Sequence, residues 1–238
     1  MEPIRIMKIK NGQKGLAQEK SGLHGLIFRL EQPEDFRAVE ELVRDAFWNL
    51  FVPGCCEHYL THILRESKAF LPELDFVAVL DGELIGCVMA AKGVIECDSG
   101  GSRGVVTVGP IAVAPEYQRQ GIGGQLLAQV KRAACSLGYE ALLLCGDPDY
   151  YGKQGFLPAE QFGIRTDDNH YAAALQAFPL LEGALRGASG RYRENEAYFV
   201  EEAAVEAFDG QFPPRERVSG TESQKRFQEI VAMRRAAE

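Results

Sequence analysis

VVTVGPIAVAPEYQRQGIGGQLLAQVKRAACSLGYEALLLCGDPDYYGKQGF, residues 105 to 156, is the stretch from which the fold is read. Its pattern is a strand, a glycine-bearing turn, an amphipathic helix, a second apolar strand and a short helix with paired tyrosines. The first strand, Val105 to Val113, is β-branched and apolar but carries Gly109-Pro110 in its middle. Proline has no N–H to give a ladder and glycine has no side chain to pack, so the pattern predicts a bulge or splay at that point. Main-chain groups of Ile111 and Val113 are then expected to go unpaired by the neighbouring strand. An extended ligand with its own amides, lying alongside like an added strand, would satisfy them.

Gln118-Arg119-Gln120-Gly121-Ile122-Gly123-Gly124 follows and opens directly into a helix whose apolar face is Leu126, Leu127, Val130, Ala133, Ala134 and Leu137, with Gly138 just past its end. Glycines let backbone N–H groups come close to an anion, and a helix N-terminus adds roughly half a positive charge. A phosphate or pyrophosphate site is the natural inference. A Walker A loop needs Gly-Lys followed by Ser or Thr, and a Rossmann loop needs a third small residue where this chain has Leu126. What remains is Gln/Arg-x-x-Gly-x-Gly/Ala, met by Gln118, Gly121 and Gly123. The same glycines also suit a turn chosen only for helix–strand packing.

Upstream, residues 1 to 25 are rich in glycine and lysine without periodicity and read as a flexible leader. A short strand at Leu26 to Leu30 precedes Pro33, Glu34 and Asp35, a good helix start, and apolar positions from Phe36 to Leu50 then recur at helical spacing. A second helix is expected from about Glu57 to Arg65, with His58 and His62 on one face. That pair, just after Cys55 and Cys56, invites a zinc reading, but no second ligand cluster follows and no metal is expected. Asp81-Gly82 between Phe76 to Leu80 and Leu84 to Ala90 predicts a tight antiparallel hairpin. Glu96 to Gly104 reads as a looser polar stretch.

Downstream, His170 to Phe178 and Tyr192 to Val200 read as strands that extend the sheet beyond the central unit and wall a pocket. Pro213-Pro214 closes the fold proper, and Ser223 to Ala237 reads as a terminal helix. The organisation expected is a leader over 1–25, one domain over 26–212, and a C-terminal extension over 213–238.

Composition narrows the classes. Net charge is −8, with no basic stripe carrying interleaved aromatics, so nucleic acid is not an expected partner. No apolar run reaches 18 residues and the N-terminus lacks a compact apolar block, so a cytoplasmic protein without membrane contact is expected. The six cysteines form no Cys-x-x-Cys pair and are expected to be reduced.

The central unit resembles motif A of the GNAT family of N-acetyltransferases, and Tyr151 with Gly155-Phe156 matches that family's Tyr-x-x-x-Gly-Phe signature. Gly146-Asp147-Pro148-Asp149-Tyr150-Tyr151, Phe208-Asp209, Phe212-Pro213 and Ser223-Gln224-Lys225 are similar to the YhbS-like bacterial subgroup. The resemblance spans about Leu26 to Val231. It implies a single α/β domain with a mixed, mostly antiparallel sheet, splayed at a central parallel strand pair, with helices on both faces. It further implies acetyl-CoA as acyl donor, its pyrophosphate on Gln118, Arg119, Gln120, Gly121, Ile122, Gly123 and Gly124, and its pantetheine along Ile111, Ala112 and Val113. Many family members carry an asparagine near the start of the tyrosine helix, where this chain has Asp147 and Asp149; Asp147 also reads as a cap ahead of Pro148.

The implied chemistry sets demands. An alkylammonium is only about one part in 10³ deprotonated near neutral pH, a penalty of roughly 4–5 kcal/mol that calls for a base or a water chain. Tyr151 is the expected proton donor to the leaving sulfur, and the N–H of Ile111 or Val113 the expected oxyanion donor. Glu57, His58, Glu96, Asp98 and Glu116 are the candidate bases. The expected activity is direct acetyl transfer to a primary amine of a small molecule or peptide, by a monomer or homodimer. An acyl-CoA-binding regulatory protein without turnover is the alternative.

Overall fold

The computed structural model describes residues 24–237, so the leader read over residues 1 to 25 lies, except for its last two residues, outside them. In chain order the elements are β1 (Ile27–Leu30), α1 (Phe36–Phe47), α2 (Glu57–Leu64), β2 (Phe76–Leu80), β3 (Glu83–Cys97), β4 (Ser102–Val113), α3 (Ile122–Ser136), β5 (Ala141–Cys145) and α4 (Pro148–Lys153). They continue with β6 (Leu157–Pro158), β7 (Ile164–Arg165), β8 (His170–Ala172), β9 (Leu175–Pro179), β10 (Gly190–Arg193), α5 (Glu202–Asp209), α6 (Glu222–Ala232) and β11 (Arg234–Ala236).

One sheet runs β1-β2-β3-β4-β5-β9-β6, with β10 and β7 attached beyond the upper half of β3. Its pairs are antiparallel except β4 with β5 and β10 with β7. Strand alternation sends side chains to opposite faces. Val106, Val108, Leu142 and Leu144 pack under Leu126, Leu127 and Val130 of α3, whereas Val77, Val79, Cys87 and Ala112 pack under Val39, Leu42 and Val43 of α1. The mixed sheet with a central parallel pair and helices on both faces is as expected.

The interrupted strand behaves as its residues require. Val88 pairs with Ile111 and Ala90 with Val108, so Gly109 and Pro110 together face the single residue Met89 across the ladder. This is a β-bulge. On its other side β4 pairs with β5 only at Val106↔Leu142 and Thr107↔Leu143, after which the two strands part.

Four readings change. Glu96 to Gly104 is not a loose stretch: β3 runs to Cys97, β4 starts at Ser102, and Gly100 and Gly101 at φ 92° and 79° turn between them. Polar side chains on an outer face leave main-chain pairing intact, and β10 also pairs there. His170 to Phe178 divides into β8 and β9, and β8 joins β11 in a separate two-stranded sheet. The strand read from Tyr192 stops at Arg193, because Asn195 Oδ1 accepts from Ala197 N–H at 3.0 Å and caps a 3-10 turn. The terminal helix ends at Ala232, and β11 follows it.

The C-terminal segment lies against the sheet's α1 side. Trp48 Nε1 donates to Glu216 O at 2.9 Å, Gln224 Nε2 donates to Asn49 O at 3.1 Å, and the Phe51 and Phe227 rings stack at 5.0 Å.

Candidate active site

Where β4 and β5 part, a cleft of about 390 Å³ opens. Its floor is Thr107 to Val113 of β4, one wall is Ala46, Phe47, Leu50 and Phe51 from α1 and the residues after it together with Glu57 and Leu60 of α2, and the other is Cys145 to Asp147 with Tyr150 and Tyr151.

Ladder geometry determines which groups of β4 face that opening. Ala114 N–H donates to Ile85 O at 2.9 Å, in the same register that pairs Cys87 with Ala112 and Val88 with Ile111. Antiparallel partners alternate between bonded and non-bonded. Ala112 therefore bonds to β3, while the N–H and C=O groups of Ile111 and Val113 point away from β3 toward the parted side. Val113 O accepts from Gln118 Nε2 at 3.1 Å, and Gly109 O accepts from the Tyr198 hydroxyl at 2.9 Å.

Gln118 thereby connects the strand end to the glycine turn. Arg119 and Gly121 both sit in the left-handed region, at φ 60° and 85°, and α3 begins at Ile122. Gln118, Arg119, Gln120 and Gly121 are exposed, Ile122 and Gly123 are buried, and Gly124 is half-buried. A Cβ on Gly123 would lie 2.8 Å from the Tyr150 hydroxyl, and one on Gly124 would lie 2.7 Å from Gln154 Oε1. The glycines thus hold the turn against α4 and keep the N–H groups at the start of α3 open to an anion. Turn and strand together fit a chain with a diphosphate at one end and amides along its length.

The tyrosine helix is held from several sides. Asp147 Oδ1 accepts from Asp149 N–H at 2.9 Å, capping α4 ahead of Pro148 at its first position. Arg226 of α6 reaches the same carboxylate at 3.2 Å and Asp149 at 2.6 Å. A Cβ on Gly146 would stand 2.1 Å from a Tyr151 ring carbon, so only glycine admits the ring there. Tyr151 also packs edge-on to Tyr150 and Phe156, at 5.0 and 5.7 Å between centroids. Burial, and then the neighbouring Tyr150 and Cys145, push its hydroxyl far above an ordinary phenol. It stays protonated, as a donor must.

Of the five candidate bases, the structure brings only Glu57 to the cleft. Burial raises its carboxyl above the usual range. Glu96 pairs with Arg193 at 2.8 Å and Asp98 with Arg165 and Ser189, at the far end of the sheet, and Glu116 sits on an exposed turn. His58 is turned inward: its Nδ1 lies 3.4 Å from Cys55 Sγ and its Nε2 3.2 Å from Asp209 Oδ1. That line of thiol, imidazole and carboxylate resembles a nucleophilic triad, but burial drives the thiol far up and the imidazole down to about 4. The group is packing, closed by Phe208 and Phe212 at 5.4 and 5.2 Å. His62 takes a different carboxylate, Glu40, at 2.9 Å, so the two imidazoles do not converge. His170 bonds to Asp168 O at 2.8 Å, away from the cleft.

Two lining residues were not singled out by spacing: Tyr198, and Glu194 just after β10. The only sequence signal for Glu194 is period-two alternation from the buried Tyr192.

A sheet whose central parallel pair opens between a glycine turn and a tyrosine helix defines an N-acetyltransferase type of α/β fold. The chain belongs to the acetyltransferase (GNAT) family, whose model matches residues 41–164. It is 30% identical over 174 residues to the uncharacterized N-acetyltransferase YhbS of Escherichia coli (strain K12), covering 73% of this chain and 98% of that protein. Similarity to the uncharacterized N-acetyltransferase YjhQ of the same strain is 25% over 136 residues, 57% of this chain and 72% of that protein. Among solved structures, Escherichia coli YhbS in complex with CoA superposes with a TM-score of 0.65 at 29% identity, covering 73% of this chain and 91% of the other. A GNAT family acetyltransferase from Brucella melitensis in complex with acetyl-CoA shares the fold at a TM-score of 0.59 and 24% identity, covering 74% and 99%. No helix among the described residues is long and apolar enough to cross a membrane.

Proposed function

We propose that this protein transfers an acetyl group from acetyl-CoA to a primary amine by direct attack. The observation that carries the reading is the parting of β4 and β5 after two residue pairs, which leaves Ile111 and Val113 main-chain groups facing a cleft between the Gln118–Gly124 turn and Tyr151. The pyrophosphate is held by N–H groups of the turn at the start of α3, where the helix dipole adds to them. The pantetheine amides pair with the edge of β4 from Ile111 through Val113. An N–H of that edge stabilises the oxyanion as the amine attacks, and the Tyr151 hydroxyl protonates the departing sulfur. The CoA complex of YhbS supports the donor.

Incubation with acetyl-CoA and a panel of primary amines, followed by free thiol, tests the reading. Thiol release that depends on both the protein and an amine is the expected result. Binding of acetyl-CoA with no thiol release for any acceptor would point instead to an acyl-CoA-responsive regulatory protein.

A further inference from the structure

Among the described residues, two carboxylates that line the cleft, Glu57 and Glu194, have no counter-charge. Glu194 follows the last residue of β10, and alternation puts it on the side of Tyr192, whose hydroxyl lies 2.6 Å from Thr107 Oγ1 in the cleft floor. Arg193 between them turns the other way, to Glu96 and Asp167. Among the described residues Glu194 has no ion pair and no side-chain hydrogen bond, and burial alone raises its carboxyl. Glu57 stands at the start of α2, one turn before Leu60 on the same wall. Its Oε2 accepts from Cys56 N–H at 3.0 Å, and among the described residues it too has no cationic partner.

Among the described residues three other enclosed carboxylates meet cations, Glu31 and Glu40 at Arg65 and Asp209 at Arg44, whereas the buried Asp75 has no ion pair and its carboxyl is raised by burial and Glu31. A carboxylate left unpaired in an apolar cleft is costly until a cation reaches it. Phe47, Phe51, Leu60 and Pro110 line the same cleft and offer apolar surface to an aliphatic stem.

We propose, resting on the acetyl-transfer reading of this cleft, that Glu194 receives the acceptor's reacting ammonium and takes its proton, while Glu57 holds a second positive group, so that the acceptor is a dicationic alkylamine. The N–H bond of the ammonium breaks and an O–H bond forms on Glu194, which later releases that proton to solvent. The neutral nitrogen forms the new bond to the thioester carbonyl carbon, and the carbon–sulfur bond breaks. Sulfur takes the Tyr151 proton, and the second proton of the attacking nitrogen restores it. Among the described residues the titratable groups around Glu194 are Tyr192 on its own strand, Tyr198 on the following turn and Cys145 at the end of β5, with Tyr150, Tyr151, Glu57 and Asp147 sharing the cleft. None of these is a cation that would hold Glu194 charged at low pH.

The test compares 1,4-diaminobutane, butylamine and 4-aminobutyrate, which share one stem and differ in the far group, as acceptors for the full chain with saturating acetyl-CoA. The diamine should exceed butylamine in kcat/KM by about 10-fold, the worth of one charge-assisted contact, and 4-aminobutyrate should be the poorest. Glu57→Gln should bring the diamine down toward butylamine. Glu194→Gln should lower kcat by about 100-fold and flatten the acidic limb of its pH profile, with acetyl-CoA affinity retained, and Glu194→Asp should restore that limb. Equal use of 4-aminobutyrate, full kcat in Glu194→Gln, or no thiol release with any of the three while acetyl-CoA binds would each overturn the acceptor assignment. Failure of the wild-type chain to bind acetyl-CoA would overturn the reading beneath it.

Discussion

Tyr151 on α4 and Gly123 at the start of α3, which meets the neighbouring Tyr150, serve different parts of the proposed reaction. Tyr151 lines the cleft and its hydroxyl is kept protonated by burial, whereas Gly123 shapes the turn by admitting the Tyr150 hydroxyl. Their variants should separate accordingly. Tyr151→Phe keeps the ring and removes the proton, so kcat should fall by about 100-fold with acetyl-CoA affinity within about 2-fold of wild type, read by steady-state kinetics and calorimetry. Gly123→Leu should do the reverse, abolishing CoA binding while the far-ultraviolet circular dichroism stays native. Retained affinity in Gly123→Leu would remove the turn from the donor site.

At the scale of elements, α4 is a six-residue helix that could not stand alone and is positioned by its neighbours. Two contacts differ sharply in worth. The Arg226 pair with Asp147 and Asp149 is at least a third exposed on every side chain and screened by solvent, so Arg226→Met should leave stability almost unchanged. Gly146→Ala pushes a methyl group into the buried Tyr151 ring, an overpacking of about 1–3 kcal/mol, and displaces the ring. Urea unfolding of both variants checks the order, and a larger loss in Arg226→Met would contradict it. Lys131 braces the far end of α4, donating to Gln154 O at 2.5 Å with its ammonium 3.8 Å from the Phe178 ring centre, where burial lowers its pKa to about 8.

For the molecule as a whole, buried titratable groups tie stability to pH. His58 is fully buried, and its folded pKa of about 4 lies below the ordinary 6.5 because burial outweighs the pull of Asp209. The unfolded chain therefore binds this proton first, and stability falls as pH drops from about 6.5 toward 4. At pH 5 this amounts to at most about 2 kcal/mol. Unfolding free energies of wild type and His58→Asn should accordingly converge between pH 7 and pH 5, and a constant gap would show that His58 is not held neutral. Asp75 works in the opposite sense: burial and its neighbour Glu31 raise its carboxyl, the fold holds a proton the unfolded chain has lost, and stability declines as pH rises.

The order of elements around the glycine turn, the bulge at Gly109-Pro110 and the cap at Asp147 were legible in the sequence, because each follows from what a proline, a glycine or an aspartate does to its own backbone. Strand limits in the C-terminal third were less so, since β8, β10 and β11 are short and owe their pairing to partners far along the chain. The choice among the candidate bases lay wholly beyond it. Glu57, Glu96, Asp98 and Glu116 are alike as residue types, and only the folded chain brings Glu57 to the cleft with no cationic partner among the described residues, sets Arg193 and Arg165 against Glu96 and Asp98, and brings Glu194 to the same cleft from far along the sequence. Local backbone preference is a property of neighbouring residues. The charge state and company of a carboxylate are properties of the space around it, which tertiary structure alone decides.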